Sequence, residues 1–278
     1  MPALIVLVLF LLIPLGRLVQ ISLYHWDGLS PSTWAGLSNY ADIAADSELR
    51  AAFAHSFVLI FFYAVVPIVV ALALAAAMTR AARLRGVSVF RTLLFLPQVV
   101  ATVVVAAAWR AVYAPDGVLN SLLAGLGLPV QDRAWLGDFG TALPAVGLIG
   151  TWLEVGLCLV LFLSGIGQIP RELYEAARVD GAGPVREFLA VTLPGLRGHI
   201  AVALTLTVIA ALRTFDLVYV TTRGGPGNAT SVPAITVYNR AFNTGQVGSA
   251  CAVAVVLTLV ILAVTYLITR LQPEEADR

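Results

Sequence analysis

The sequence has 278 residues, of which 59% are hydrophobic and 12% are charged, and its formal net charge is +1. Soluble domains are roughly 45–50% apolar, so this composition favours an integral membrane protein. All 17 basic residues are arginine, which excludes a P-loop nucleotide site and a Schiff-base enzyme within this chain, because both need a lysine. The near-neutral charge argues against nucleic-acid binding.

Six apolar stretches predict six transmembrane helices, because each is long enough to cross a hydrocarbon layer of roughly 30 Å. The predicted spans lie near residues 3–23, 53–78, 92–112, 143–165, 200–222 and 248–269. The first apolar stretch begins at Met1, but it lacks the basic region and the cleavage site of a signal peptide. The connections are short, so the sequence predicts a single all-α membrane domain over residues 1–278.

Arginines are distributed unevenly over the predicted connections, and such asymmetry sets the orientation of a membrane protein. Ten lie on one side: Arg80, Arg83, Arg85, Arg91, Arg171, Arg178, Arg186, Arg197, Arg270 and Arg278. Five lie on the other: Arg50, Arg110, Arg133, Arg223 and Arg240. The richer side is expected to be cytoplasmic, which places both termini in the cytoplasm.

The connection over residues 167–199 carries helix signals of its own. Pro170 and Pro184 suit helix starts, and Gly181 suits a helix stop, so two short helices are expected to meet at a glycine elbow. Apolar and charged residues alternate at helical spacing along the first of them. From these residues alone, the segment is either an amphipathic hairpin lying on the lipid surface or a surface that another protein approaches closely.

The same connection contains a spacing of acidic, small and apolar residues that resembles the EAA motif of permease subunits of bacterial ATP-binding-cassette importers. The matching residues are Glu175, Ala176, Ala177, Gly181, Val191, Leu193 and Pro194. Valine at position 191 is the one departure, since isoleucine is usual there.

Further stretches are similar to carbohydrate permeases of the maltose-transporter type. They are residues 214–226 with Thr230, Tyr238, Ala241 and Phe242, and the shorter matches Gly36, Leu37, Asn39, Tyr40, Phe90, Arg91, Leu96, Pro97, Gly117, Leu119 and Asn120. Two features depart from the family pattern. Family members usually have a basic tail before the first span, whereas here Met1 directly precedes the apolar run, so whether the native start lies upstream of Met1 stays open. Trp152, Glu154 and Gly156 stand where glycine or asparagine is often found.

The resemblance implies a type I importer permease fold with six transmembrane helices and a cytoplasmic coupling hairpin. It implies half of a translocation pathway for a sugar or oligosaccharide, in the plasma membrane of a bacterium. The implied partners are a second permease, two ATPase subunits that use ATP and magnesium, and an extracellular binding protein. This chain itself would catalyse nothing and bind no cofactor. By the same resemblance, the residues that couple to the ATPases are Glu175, Ala176, Ala177, Asp180, Gly181, Leu193 and Pro194.

Charged residues inside the membrane are functional candidates, because an unpaired charge there is costly. Glu154, Arg213 and Asp216 are such residues. Arg213 and Asp216 are three positions apart, so they are expected to share a helix face and to pair. They are either a structural ion pair or part of the pathway, where Trp152 and Tyr219 would accompany them.

Three other functions remain open at this level. An ion-coupled secondary carrier would use the intramembrane charges as a relay, although such carriers usually show repeated halves. An intramembrane serine protease would need a serine and a histidine at membrane depth. An importer of the same kind could also carry a non-sugar solute such as glycerol phosphate. The three histidines are too far apart in sequence to indicate a metal site.

Overall fold

The computed structural model describes residues 2–80, 86–128 and 133–270. Arg83, Arg85 and Arg278, on which part of the orientation prediction rests, lie outside the described residues. The described chain is mostly helical, and the prediction of an all-α membrane protein is confirmed.

In chain order, the helices are α1 (Ala3–Ser22), α2 (Ser38–Ala45), α3 (Ser47–Thr79), α4 (Val87–Val99), α5 (Thr102–Val112), α6 (Val118–Gly125), α7 (Ala142–Ile166), α8 (Arg171–Val179), α9 (Pro184–Gly195), α10 (Arg197–Leu212), α11 (Asp216–Thr221), α12 (Pro233–Tyr238, continued by a π turn at Asn239–Asn243) and α13 (Val247–Arg270). Two short strands, β1 (Tyr24–His25) and β2 (Thr33–Trp34), pair antiparallel between α1 and α2.

Four helices, α1, α3, α7 and α13, are each long and apolar enough to cross a membrane. Two further spans are possible if each of two bent helix pairs counts as one crossing. The axes of α4 and α5 differ by 104°, and those of α9 and α10 differ by 69°. The chain is therefore a multi-pass membrane protein with four to six spans in its described part.

Two of the predicted spans are not continuous helices. The span predicted near 92–112 is broken between α4 and α5, where Val100 and Ala101 are extended. Pro97 lies three residues before this break and lacks the N–H that a continuous helix needs. The span predicted near 200–222 ends as a helix at Leu212, and the short α11 follows after a three-residue break.

Helix α7 is the centre of the bundle, and glycines bring its neighbours close. A Cβ atom at Gly150 would lie 2.0 Å from the ring of Tyr63 on α3. A Cβ atom at Gly156 would lie 2.3 Å from the carbonyl oxygen of Leu94 on α4. Helices α7 and α4 therefore pack almost backbone to backbone, and the Tyr63 ring lies directly against the backbone of α7, as small residues allow in membranes. By contrast, none of the apolar window of α1 is buried.

Polar contacts tie several helix ends together. The Asp46 carboxylate accepts hydrogen bonds from the first free N–H groups of α3 and also pairs with Arg240 on α12. The N–H of Gly248, at the start of α13, donates to the carbonyl of Trp26 in the connection between the strands, at 3.0 Å.

Candidate functional site

The segment α8–α9 forms a helical hairpin whose elbow closes with its own backbone. Helix α8 ends at Val179, and Gly181 has a φ of +75°. The N–H of Gly181 donates to Arg178 at 3.0 Å, and the N–H of Ala182 donates to Ala177 at 2.9 Å. This pair of bonds is the Schellman motif, which requires a left-handed residue at its turn. Glycine is needed at 181 for its conformation, since a Cβ there would meet nothing within 4 Å.

Two side-chain contacts brace the hairpin between its arms. Arg178 Nε donates to Glu187 Oε2 at 2.7 Å, and the hydroxyls of Tyr174 and Thr192 lie 3.2 Å apart. The hydrogen bond and the charge of Glu187 raise the pKa of the Arg178 guanidinium. The hairpin is thus held as a unit by its own residues.

The residues predicted to couple to the ATPases fall at two places on this hairpin. At the elbow, Glu175, Ala176, Asp180 and Gly181 are exposed and Ala177 is half-buried. Beside them the Val179 side chain is 87% exposed. The elbow therefore presents an apolar and acidic surface without a partner in the described chain, of the kind that a protein groove can accept.

Leu193 and Pro194 lie at the other end of the hairpin. Helix α9 continues through both of them to Gly195. The chain then bends at the fully buried Leu196 and continues as α10. These two residues therefore lie where the hairpin joins the membrane bundle.

The two predicted pathway residues on α7 point in different directions. Trp152 is 43% exposed and packs edge-on against Trp109 of α5, at a centroid distance of 5.7 Å. Glu154 is only 7% exposed. Residues two apart on a helix are rotated by about 200°, so they do not share a face. Within residues 2–80, 86–128 and 133–270, the Glu154 carboxyl group has no hydrogen-bond partner and no ion pair.

The predicted ion pair between Arg213 and Asp216 is wrong. Both side chains are exposed, and the ion pairs of the described chain are Arg178–Glu187 and Arg240–Asp46. The reason is the break at 213–215: Arg213 follows the end of α10, whereas Asp216 begins α11. No single helix contains both residues, so helical spacing does not bring their side chains together.

The break contains a contact that the sequence did not indicate. The buried hydroxyls of Tyr63 and Thr214 lie 3.3 Å apart. Tyr63 belongs to a π turn at Phe61–Val65 within α3, and the adjacent Phe62 carbonyl accepts a 2.6 Å hydrogen bond from Thr151 of α7. A π turn shifts the helical pairing of its carbonyls and is common at functional sites.

Tyr219 is brought together with three aromatic side chains that sequence reasoning did not place in the pathway. Its ring stacks on Phe215 at 5.2 Å and meets Tyr238 edge-on at 5.1 Å. Phe242 follows Tyr238 at 5.3 Å. The sequence signal that could have revealed two of these contacts is the i, i+4 spacing of residue 215 with 219 and of residue 238 with 242.

The described residues contain no group of three or more His, Cys, Asp or Glu side chains that could hold a metal ion. Their arrangement offers instead an aromatic and charged surface beside the helix breaks, together with a protruding hairpin.

Comparisons with known proteins agree with this architecture. The family model described as "Binding-protein-dependent transport system inner membrane component" matches residues 118–275. The probable ABC transporter permease protein YurN of Bacillus subtilis (strain 168) is 37% identical over 95% of this chain and 91% of its own. The diacetylchitobiose uptake system permease protein NgcF of Streptomyces coelicolor is 37% identical over 96% of this chain and 79% of its own.

A more distant relative and a solved structure extend the match. The trehalose/maltose transport system permease protein MalF of Thermococcus litoralis is 33% identical over 95% of this chain and 89% of its own. The crystal structure of a bacterial ABC transporter for import of the acidic polysaccharide alginate includes a chain with a TM-score of 0.83 and 22% identity, covering 100% of this chain and 94% of its own. That likeness shows the fold, and the predicted type I importer permease fold is confirmed.

These matches displace the secondary carrier and the intramembrane protease as alternatives, because neither belongs to this family. The chain belongs to the binding-protein-dependent transport system inner membrane components, the permeases of ATP-binding-cassette importers, and is a transport subunit rather than an enzyme.

Proposed function

We propose that this chain forms half of the translocation pathway of an ATP-driven importer for a sugar or oligosaccharide delivered by an extracellular binding protein. Three relatives support the substrate class, since their names refer to diacetylchitobiose, to trehalose and maltose, and to multiple sugars. A second permease completes the pathway, and two cytoplasmic ATPase subunits consume ATP with magnesium. Both termini of the chain lie in the cytoplasm of the bacterium.

The observation that carries this proposal is the exposed elbow of the α8–α9 hairpin. A rigid hairpin with an 87% exposed valine at its elbow is costly to leave in water, since burying such a side chain is worth about 1.5–3 kcal/mol. A groove on one of the two ATPase subunits receives this elbow. The residues that make the contact are Glu175, Ala176, Ala177, Asp180 and Gly181, and Leu193 and Pro194 pass the movement into the bundle.

The pathway itself lies beside the break at 213–215. The exposed or half-buried side chains near it include an aromatic ring (Trp152), a cation (Arg213), an anion (Asp216) and a phenolic hydroxyl (Tyr219). Such mixed polar and aromatic linings are typical of sites for small polar ligands. Glu154 lines the pathway in a state of the transport cycle in which its face is open.

The test uses the elbow glycine. Gly181→Ala forces a side chain into the left-handed region, which costs about 1 kcal/mol, and we expect it to lower uptake per ATP hydrolysed in proteoliposomes holding the complete importer. Gly181→Asn tolerates this conformation better and is expected to retain more coupling. The matched control is Gly183→Ala, since Gly183 has an extended backbone with nothing within 4 Å of its Cβ position.

Two results would contradict the proposal. One is a purified chain that brings down no ATPase and no second permease from its native membranes in mild detergent. The other is unchanged uptake per ATP hydrolysed in both single variants, Gly181→Ala and Glu175→Ala. An importer that couples normally but carries only glycerol phosphate would retain the mechanism and replace the substrate class.

A further inference from the structure

Four aromatic side chains form a continuous run from the helix break to the outer side of the chain. The run begins with Phe215 at the break, and Tyr219 follows one turn later along α11. Tyr238 of α12 contacts both rings, at 5.6 Å and 5.1 Å. Phe242 then extends the run to the π turn at Asn239–Asn243. Successive rings therefore follow one another at 5.1–5.6 Å without a gap.

The run becomes more exposed toward its outer end. Phe215, Tyr219 and Tyr238 are half-buried, whereas Phe242 is 77% exposed. A single exposed apolar side chain is ordinary on a protein surface, but Phe242 is continuous with three half-buried rings. The run therefore leads from a freely accessible ring to the level of the break where the proposed pathway residues lie.

Polar groups accompany the rings on the same segments. The Tyr219 hydroxyl donates to the Tyr238 hydroxyl at 3.4 Å. Asn239 and Asn243 are exposed beside Phe242, and the Asn243 Nδ2 donates to Asn239 Oδ1 at 2.8 Å. Each amide keeps donors or acceptors for a ligand. Exposed amides are unfavourable against hydrocarbon, so they argue against a lipid-facing role for this segment.

We propose that Phe215, Tyr219, Tyr238 and Phe242 form an aromatic track that binds an oligosaccharide as it passes from the outer surface to the helix break. The apolar C–H faces of sugar rings pack on aromatic faces, and the flanking hydroxyl and amide groups bond to the sugar hydroxyls. A run of four rings contacts more than one sugar ring at a time. The track therefore favours chains of two or more sugars over monosaccharides. This inference rests on the proposed sugar-import function and deepens it.

The test measures binding to the permease complex itself, without the binding protein. The complete complex is placed in lipid nanodiscs, and saturation-transfer NMR is recorded with maltotriose, triacetylchitotriose and raffinose, each compared with glucose or N-acetylglucosamine. We expect at least one trisaccharide to bind more tightly than the monosaccharides, with contact through its C–H protons.

Variants at the outer ring separate stacking from packing. Phe242→Leu keeps an apolar side chain but removes the ring, and we expect about fivefold weaker trisaccharide binding. Phe242→Trp restores a ring and is expected to restore binding, which a merely structural role for Phe242 would not require. The matched control is Phe139→Leu, because Phe139 is a 70% exposed phenylalanine in the connection before α7.

Each outcome decides the proposal. Wild-type binding in Phe242→Leu and in a Tyr238→Leu variant overturns the track, as does the absence of any trisaccharide preference in the wild type. If the same complex then imports a sugar when the binding protein is added, the track alone has failed and the proposed function stands. If it imports no sugar, the proposed function has failed as well.

Discussion

The elbow at Gly181 and the break at 213–215 both interrupt helices, but they are held in opposite ways. The elbow is closed by hydrogen bonds between backbone groups of neighbouring residues within 177–182, and its Cβ position faces open space. The break is held by residues distant in sequence, with Tyr63 contacting Thr214 across 151 positions. A locally closed turn can protrude from the bundle as a unit, whereas the break depends on the packing of the whole bundle.

The largest expected effect comes from disturbing the packing on which the helix breaks depend. In Gly156→Ala, the new methyl group would lie 2.3 Å from the Leu94 carbonyl oxygen and 2.9 Å from the Phe95 Cα. Backbone atoms cannot rotate away, so we expect a loss of about 3 kcal/mol or more, seen as a lower yield of monodisperse protein in size-exclusion chromatography.

The control for that variant is Gly16→Ala in α1, where nothing lies within 4 Å of the Cβ position. It should be neutral or slightly stabilising, because alanine is a better helix former than glycine by about 1 kcal/mol. Equal yields of the two variants would show that α7 and α4 are not packed backbone to backbone.

A smaller effect is expected from the single side-chain contact at the break. Tyr63→Phe leaves the buried Thr214 hydroxyl without this partner, and we expect a loss of about 1 kcal/mol in the thermal unfolding of the purified complex. Adding Thr214→Val should cost less than the sum of the single changes, since the pair acts together. Strict additivity would mean that the two hydroxyls do not hold the break jointly.

The smallest effect concerns a second locally closed turn, in the connection between β1 and β2. Asp27 accepts hydrogen bonds from the Ser30 hydroxyl and from the N–H groups of Leu29 and Ser30. These bonds lower the pKa of the carboxyl from 3.8 to about 2. A lowered pKa means that this support is present above the ordinary pKa of 3.8 and is lost as the pH falls through the folded value of about 2.

The measurement is hydrogen exchange at the Leu29 and Ser30 amides, corrected for the intrinsic acid dependence of exchange. Protection in the native chain should fall over that pH window, while Asp27→Asn should show lower protection without the titration. A native profile that matches the variant would remove Asp27 from the turn.

The same contrast explains what the sequence could and could not predict. Pro170, Gly181 and Pro184 signal the hairpin through local backbone preferences, so the hairpin was predicted at the right place. The run over 200–222 contains no proline or glycine and reads as one apolar helix. Its break follows from packing: α11 lies against α5, and Thr214 is bonded by Tyr63. The partners that cause this break are far apart in the chain, so the sequence could not reveal it. The predicted ion pair of Arg213 with Asp216 is wrong because it assumed an unbroken helix.

Pro97 was a local signal for the other break, and the structure bends the chain by 104° just beyond it. The positions of the aromatic partners of Tyr219 were not accessible in the same way. Tyr238 and Phe242 belong to a segment that folds back on α11, and no local pattern specifies that contact.

Helix α10 joins the two interruptions directly. It begins at Arg197, directly after the buried Leu196 that follows the hairpin, and it ends at Leu212, directly before the break. Sixteen residues without proline make a stiff rod of about 24 Å. A rotation applied to the hairpin would therefore displace the hydroxyl of Thr214 unless the rod bends, and the Tyr63 contact would be the first to be strained. In mechanical terms, the hairpin is a crank, α10 is its shaft, and the break is the joint that the shaft turns.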